Sequence, residues 1–408
     1  MSARRLTVWW DGRIAGCLAQ DQHGDLSFAY DADWLDRSDA RPLSHSLPLQ
    51  PDIFDRRACR PFFGGLLPEA DQRSGVAGAL GVSAANEFAL LDRLGGDVAG
   101  ALTLLPEGEI PPSPAIFADP ALPLSDAAFA AILDRLPHQP MLAGEAGLRM
   151  SLAGAQAKLP VILVDGRPAL PRPGEATTHI VKPEIPRFAG SVANEAWCMA
   201  LARTVGLDVA EAVACEADGR PYLLVTRYDR AQRDGVMVRL HQEDACQALG
   251  IPSERKYAAE GGPAFRDMFA LTRAYVRQPA VDVIRLVDAA IFNLAIGNAD
   301  AHGKNFSFLL DGDGPRLAPL YDLLSTRAWP ELSARQAMRV GRAGMIEELD
   351  QDAWLRFASD AGITLPFLRR RIITMTDAIM SVVDEARTSS AIAVQTGLRA
   401  AMLRQSLD

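Results

Sequence analysis

Cysteine is scarce in this 408-residue chain, and it offers no framework. The five cysteines, Cys17, Cys59, Cys198, Cys215 and Cys246, are scattered and odd in number. That excludes a disulfide-built fold and fits reduced thiols in a cytoplasm. No Cys/His spacing of the zinc type occurs. No stretch of roughly eighteen or more apolar residues is present, the length a bilayer-spanning helix needs, so no membrane segment is expected. The basic start Met1-Ser2-Ala3-Arg4-Arg5 meets polar Asp11-Gly12 too soon for a secretory signal. The GxxxxGK(S/T) phosphate loop is missing as well. Basic excess is absent too: the net charge is −9, which argues against unaided, tight nucleic-acid binding through a global field.

What is present is ordinary globular composition, 49% hydrophobic and 23% charged. The length exceeds one core, so two or three domains are expected. Leu6 to Trp10, Arg13 to Gln20 and Leu26 to Tyr30 read as a meander turned at Asp11-Gly12 and Gly24. Pro42 to Pro51 reads as extended, and Phe62-Phe63 as core. Ser83 reads as the N-cap of a helix running to Leu94, closed by Gly95-Gly96. Gly100 to Leu105 reads as a strand. Pro106 to Pro123 is proline-rich and reads either as a connection between subdomains or as an irregular loop within one domain.

Small residues at 153 to 155 precede Gln156-Ala157-Lys158, where backbone N–H groups can approach an anion; an ordinary hairpin tip is the plain alternative. Leu159 to Val164 reads as a strand, Asp165-Gly166 as a turn. Lys182 closes a second apolar strand beginning at Thr178, and a helix from Ser191 to Val205 follows. Glu195 in its first turns either pairs with Lys182 or complements the helix dipole. Val209 to Cys215 and Pro221 to Tyr228 read as a hairpin around Asp218-Gly219, and the second strand runs into polar Thr226-Arg227-Tyr228-Asp229. That connector suits backbone contact with a base, with Asp229 within reach of a ribose. From His241 onward the pattern is mainly helical, with patterns at Asp282 to Ile296, Gln351 to Ala361, Pro366 to Ala386 and Ser390 to Leu403.

The densest chemistry is in Gly297-Asn298-Ala299-Asp300-Ala301-His302-Gly303-Lys304-Asn305-Phe306, where a long apolar helix pattern gives way to a short strand pattern. Asp300 with Asn305 five residues on is similar to the catalytic loop of protein kinases. Asp322, in Leu320-Tyr321-Asp322-Leu323, stands where a kinase keeps its magnesium-gripping aspartate.

Taken with Ser151 to Lys158, His179-Ile180-Val181-Lys182, Gln242 to Gln247, Tyr321 to Ser325, and the N-terminal stretches Leu43 to Pro48 and Phe62 to Glu69, these motifs together resemble the HipA family of bacterial serine/threonine kinase toxins. The resemblance covers nearly the whole chain. It implies an α+β, bilobal kinase-like fold with an extra β-rich N-terminal subdomain: residues 1–106 as that subdomain, 124–230 as the small lobe and 231–408 as the helical large lobe. It implies ATP and Mg2+ as cofactors. Asp300 would be the catalytic base, and Asn305 and Asp322 the metal ligands. Ala153, Gly154, Ala155, Gln156, Ala157, Lys158 and Lys182 would hold the phosphates, with His302, Gly303, Lys304 and Tyr321 beside them. Thr226, Arg227, Tyr228 and Asp229 would lie on the adenine side; Thr226 stands where some relatives carry an acidic residue. Ser151 corresponds to the family's autophosphorylated serine, whose modification inactivates the kinase. The implied partners are a dimeric HipB-like helix-turn-helix antitoxin, operator DNA through that complex, and a translation protein as substrate, such as the glutamyl-tRNA synthetase. Arg369-Arg370-Arg371 would either touch DNA there or form a solvated basic face. A small-molecule phosphotransferase and a non-catalytic corepressor are the competing readings.

Overall fold

The structure is a computed structural model that describes residues 4–112, 121–145, 147–312, 314–385 and 390–407. The middle of the proline-rich connection, 113–120, and Ala386, the expected end of a helix, lie outside the described residues. The chain forms two compact units. The first comprises Met1–Ile185, Val213–Glu243 and Gln247–Ser253; the second comprises Pro186–Ala212, Asp244–Cys246 and Glu254–Asp408.

In the first unit, β1 (Arg4–Trp10), β2 (Arg13–Gln20) and β3 (Leu26–Tyr30) form the expected meander, and β4 (Leu102–Pro106) joins β1 to give the order β3-β2-β1-β4. Leu6, Val8 and Trp10 alternate inward on β1, as the two-residue period of a strand dictates. Asp11-Gly12 turns the first hairpin with φ of 48° and 73°, a geometry that asparagine, aspartate and glycine tolerate.

Helices α1 (Arg56–Gly65), α2 (Ala70–Leu80), α3 (Glu87–Leu94) and α4 (Asp126–Arg135) follow. Phe62 and Phe63 are fully buried, and they sit on α1. Pro61, Gly64 and Gly65 lower its intrinsic helicity, so it shows as helix only because both phenylalanines pack inward. The expected N-cap at Ser83 is corrected. Helix α3 begins at Glu87, where the Asn86 side chain accepts from the Ala89 N–H, while Ser83 Oγ accepts from the Ala85 N–H in the turn before it. Both residue types cap well, and tertiary packing chooses between them.

The second sheet contains β5 (Leu159–Val164), β6 (Arg167–Ala169), β7 (His179–Pro183), β8 (Ala212–Ala217) and β9 (Arg220–Thr226) in the order β6-β5-β7-β9-β8. Phe129 and Leu133 of α4 pack with Leu159, Val161, Val181 and Tyr222 in its core. A further hairpin, β10 (Arg230–Arg233) and β11 (Val236–Arg239), turns at Asp234-Gly235. Residues His241–Asp244 then form a strand, β12, rather than the start of a helix. Three of its four residues are buried, so neither polar period shows.

The second unit is mostly helical: α5 (Ser191–Thr204), α6 (Phe265–Tyr275), α7 (Pro279–Ile296), α8 (Gln351–Ala361), α9 (Leu365–Glu385) and α10 (Ala391–Gln405), with an antiparallel hairpin of β13 (Ser307–Asp311) and β14 (Gly314–Leu317). Helix α7 packs against α6, α9 and α10. Leu286, Val287, Ile291, Phe292 and Ile296 are all fully buried, as befits a largely apolar helix with neighbours on several faces. The arginines of α9 serve this packing. Arg371 pairs with Asp288 of α7, Arg369 donates to the Leu407 carbonyl at 2.6 Å, and Arg370 lies over the Phe367 ring at 5.9 Å. No described helix is long and apolar enough to cross a membrane, and all five cysteines are free thiols.

Candidate active site

The loop after α7 is built by the way that helix ends. Gly297 adopts φ 74°, which costs glycine little and other residues more. A Cβ there would also lie 2.8 Å from the Arg399 guanidinium carbon. The Asn298 N–H donates back to the Asn293 carbonyl at 2.9 Å. Buried Arg399 of α10 donates to the carbonyls of Ala295 and Ile296 at 3.0 and 2.8 Å, satisfying acceptors that a helix terminus leaves open. Asn298 then holds the bend. Its Nδ2 donates to Asn293 Oδ1 at 2.8 Å, and its Oδ1 accepts from the Asp300 N–H at 3.1 Å. The Ala299 N–H donates to Thr326 Oγ1 at 2.9 Å.

On this scaffold Asp300 is the exposed member of an otherwise largely buried loop. Its Oδ1 accepts a hydrogen bond from the Tyr257 hydroxyl at 2.8 Å. The Tyr257 ring meets the buried His302 ring edge-on at 5.2 Å. The loop then turns through Gly303, where a Cβ would strike Pro263 at 2.4 Å. The Lys304 ammonium is buried and lies 2.6 Å from Asp244 Oδ2. This ion pair fixes the lysine that the sequence places on the phosphate side. The Lys304 carbonyl accepts from the Tyr321 hydroxyl at 2.6 Å, and that hydroxyl also meets Ser307 Oγ at 2.6 Å.

Asn305 and Asp322 come together across the β13–β14 hairpin: Asn305 Nδ2 lies 3.5 Å from Asp322 Oδ2. Two features mark this pair. Asn305 Oδ1 is buried and has no hydrogen-bond partner among the described residues. Asp322 has φ 54°, a left-handed conformation that a non-glycine residue holds at a cost. The other left-handed aspartates, Asp11, Asp165, Asp218 and Asp234, all precede a glycine in a turn; Asp322 precedes Leu323. An amide oxygen without a donor, beside a carboxylate, is a hard-oxygen donor set of the kind magnesium takes. One or two protein oxygens suit magnesium when substrate phosphates and water supply the rest.

In the first unit, the segment expected to cover phosphates is pinned from one side. Ser151 is fully buried; its Oγ donates to the Leu66 carbonyl at 2.7 Å and its N–H to the Asp97 carbonyl at 2.9 Å. Gly154 has φ 113° and its carbonyl accepts from the Glu69 N–H at 3.1 Å. Lys158 Nζ curls back to the Ala153 carbonyl at 2.6 Å. Ala155, Gln156 and Ala157 complete the loop. Lys182 lies on β7, opposite Leu223, and is buried. Glu195 is buried on α5.

Thr226 ends β9 and pairs with His179; Tyr228 hydrogen-bonds Gln242 through its hydroxyl. The expectation that Asp229 reaches a ribose is corrected. Its carboxylate is buried between Arg227 and Arg230, at 2.8 and 3.0 Å, and accepts from the Gly100 N–H at 2.7 Å. Arg227 turns inward as well, donating to Thr177 Oγ1 at 2.8 Å and approaching Asp97 at 3.4 Å. Asp97 also takes Arg230 at 2.7 Å and Arg239 at 3.2 Å. Burial opposes its charge, but Arg230, Arg227, Arg239 and the Thr177 hydroxyl outweigh it and hold this carboxyl below the usual range. Asp229 is likewise lowered by Arg227 and Arg230 against its burial.

Sequence reasoning missed Tyr257, Arg399, Asn293 and Thr326. Tyr257 sits among the turn residues of 253–261, and Arg399 reads as an ordinary helix-surface arginine; neither has a local signal. Asn194 lies on α5 beside Glu195. It clamps Ser325 through both backbone groups, at 2.8 and 3.0 Å.

Comparison with known proteins agrees with this geometry. A family model of the HipA-like C-terminal domain matches residues 150–388, and one of the HipA N-terminal domain matches residues 6–105. The protein Y4mE of Sinorhizobium fredii is 58% identical over 385 residues, spanning 94% of this chain and 92% of its own. The serine/threonine-protein kinase toxin HipA of Shewanella oneidensis is 31% identical over 341 residues, 80% of this chain and 76% of its own. The solved complex of Shewanella oneidensis HipA with HipB and its operator DNA contains a chain that superimposes with a TM-score of 0.82 at 26% identity, covering 98% of this chain and 96% of that one. The chain therefore belongs to the HipA family, has its kinase-like α+β fold, and is a HipA-type kinase toxin.

Proposed function

We propose that the chain is an ATP- and magnesium-dependent serine/threonine protein kinase. In this reading Asp300 accepts the proton of a substrate hydroxyl as that oxygen forms a bond to the γ-phosphorus and the bond to the ADP oxygen breaks. Asn305 and Asp322 hold magnesium, which when bound neutralises charge on the phosphates. The 153–158 loop and Lys182 hold the nucleotide phosphates. The observation that carries the reading is Asn305: its buried Oδ1 lacks a hydrogen bond among the described residues while its Nδ2 faces Asp322. Asn305 Oδ1 and the Asp322 carboxylate would be the oxygens that hold the cation.

The substrate in this proposal is a translation protein, such as the glutamyl-tRNA synthetase, whose modification arrests growth and favours persistence. The neighbouring structure holds HipB and operator DNA; by extension a HipB-like dimer is the proposed antitoxin, with which the chain acts as corepressor. Ser151 is the proposed self-inactivation site. Its hydroxyl is sealed against Leu66, so its phosphorylation requires the 151–158 segment to leave, and the added dianion cannot return to that buried position. The test is transfer from γ-labelled ATP into lysate proteins with magnesium. Wild type should label a discrete band and Asp300→Asn should not, with nucleotide binding retained; equal labelling by both ends the assignment of Asp300. Ser151→Ala should remain active without self-limiting.

A further inference from the structure

We propose that Tyr257 is a positioning residue for the reaction, fixing the Asp300 carboxylate in the orientation that receives the substrate hydroxyl. The inference rests on the reading of Asp300 as the base. Three observations carry it. The Tyr257 hydroxyl donates to Asp300 Oδ1 at 2.8 Å. The same ring meets His302 edge-on at 5.2 Å, so one side chain touches both functional groups of the loop. The backbone, finally, ties the two segments together through one residue: the Ala258 N–H donates to the Ala337 carbonyl at 3.1 Å, and the Ala337 N–H donates to the Ala299 carbonyl at 2.8 Å.

The turn carrying Tyr257 is itself closed. The Tyr257 carbonyl accepts from the N–H groups of Glu260 and Gly262, both at 2.9 Å. Pro263 at its end packs so tightly on Gly303 that a Cβ there would meet it at 2.4 Å. Residues 257–263 thus form a platform for residues 299–303. A carboxylate near the surface can visit several side-chain torsions. The phenolic donor on Oδ1 narrows that choice. A general base must sit within hydrogen-bond reach of the proton it takes, so the orientation enters the rate rather than nucleotide affinity.

The experiment uses the full chain with γ-labelled ATP, magnesium and a fixed amount of bacterial lysate as acceptor. Tyr257→Phe keeps the ring against His302 and removes only the hydroxyl. Transfer at saturating ATP should fall on the order of tenfold, while KM for ATP and affinity for a fluorescent ATP analogue stay within about twofold. Placing 3-fluorotyrosine at position 257 restores the hydroxyl and should restore the rate. The proposal is overturned by an unchanged rate, by a faster one (the hydroxyl would then be an obstruction), by phosphate found on Tyr257 itself, or by parallel losses of rate, affinity and thermal stability. Asp300→Asn, run alongside, separates the two claims. If that variant still transfers phosphate, the base assignment fails whatever Tyr257→Phe does. If it is dead and Tyr257→Phe matches wild type, only the positioning role fails.

Discussion

Two groups of carboxylates in this chain are treated in opposite ways. Asp97 and Asp229, in the first unit, are buried and saturated by Arg227, Arg230, Arg239, Thr177 and a backbone N–H. Asp300 and Asp322, in the second, are more exposed: Asp300 accepts from the Tyr257 phenol at 2.8 Å, and Asp322 lies 3.5 Å from the Asn305 amide nitrogen. Folding locks the first pair away from solvent and leaves the second within its reach. Identical side chains thus divide by their surroundings, the first pair serving the scaffold and the second the proposed chemistry.

The comparison breaks most decisively if the roles exchange under mutation. Asp300→Ala should lower phosphoryl transfer by about 10^2 to 10^4, the range for losing a general base, while unfolding free energy stays within about 0.5 kcal/mol. Asp97→Ala should do the reverse. It removes the carboxylate shared by Arg227, Arg230 and Arg239, leaving Asp229 alone between the first two, and a broken buried ionic network costs about 3–5 kcal/mol. Denaturant unfolding of both variants checks the pair; a large stability loss in the first, or none in the second, would erase the distinction. The Ser151 N–H donates to the Asp97 backbone carbonyl, which alanine keeps but which the ionic network no longer anchors, so Asp97→Ala should loosen the 151–158 segment, measurable as faster amide exchange there.

The comparison sharpens through pH. Buried His241 is satisfied as a neutral ring: its Nε2 meets the Leu43 carbonyl at 2.8 Å, and its Nδ1 faces the Ala101 N–H at 3.4 Å. A proton on Nδ1 would confront a donor, and burial holds this imidazole down to about 4 from 6.5. Between those values the unfolded chain binds more protons than the folded one, so stability rises with pH across the window and is lost as pH falls from about 6.5 to about 4. The amplitude is on the order of 3 kcal/mol. In His241→Gln most of that dependence should vanish; a wild-type slope in the variant would place the proton linkage elsewhere.

Much of this was legible in the sequence, for physical reasons that differ by element. The meander and the hairpins at Asp165-Gly166 and Asp218-Gly219 announce themselves because Asp-Gly pairs enter left-handed turns cheaply, and α7 because one long apolar run has no other home. The nearness of Asn305 to Asp322 was legible because only a short strand pattern and a turn separate them. Helix α1 was not, since its Pro and Gly residues argue against a helix that only tertiary burial of Phe62 and Phe63 stabilises. Nor were Tyr257 and Arg399, whose partners lie 43 residues away and 103 to 104 residues away; no local pattern encodes such contacts. Asp229 misled because a polar residue after an apolar strand looks solvent-facing, whereas two arginines draw it inward.

The smallest effect is also the cleanest test of whether the site stores strain. Asp322 holds φ 54°, and a left-handed backbone costs a residue with a Cβ about 1–2 kcal/mol relative to its relaxed form. Asp322→Ala and Asp322→Gly both delete the carboxylate and every contact it makes, so both should lose magnesium-dependent transfer. They differ only in the Cβ. If the backbone is strained, the glycine variant should be the more stable by about 1 kcal/mol, despite glycine's larger entropy loss on folding. Urea unfolding of the two variants side by side reads this difference directly. Equal stabilities, or a more stable alanine variant, would mean that the left-handed turn at Asp322 is unstrained and that the contrast with the saturated network rests on hydrogen bonding alone.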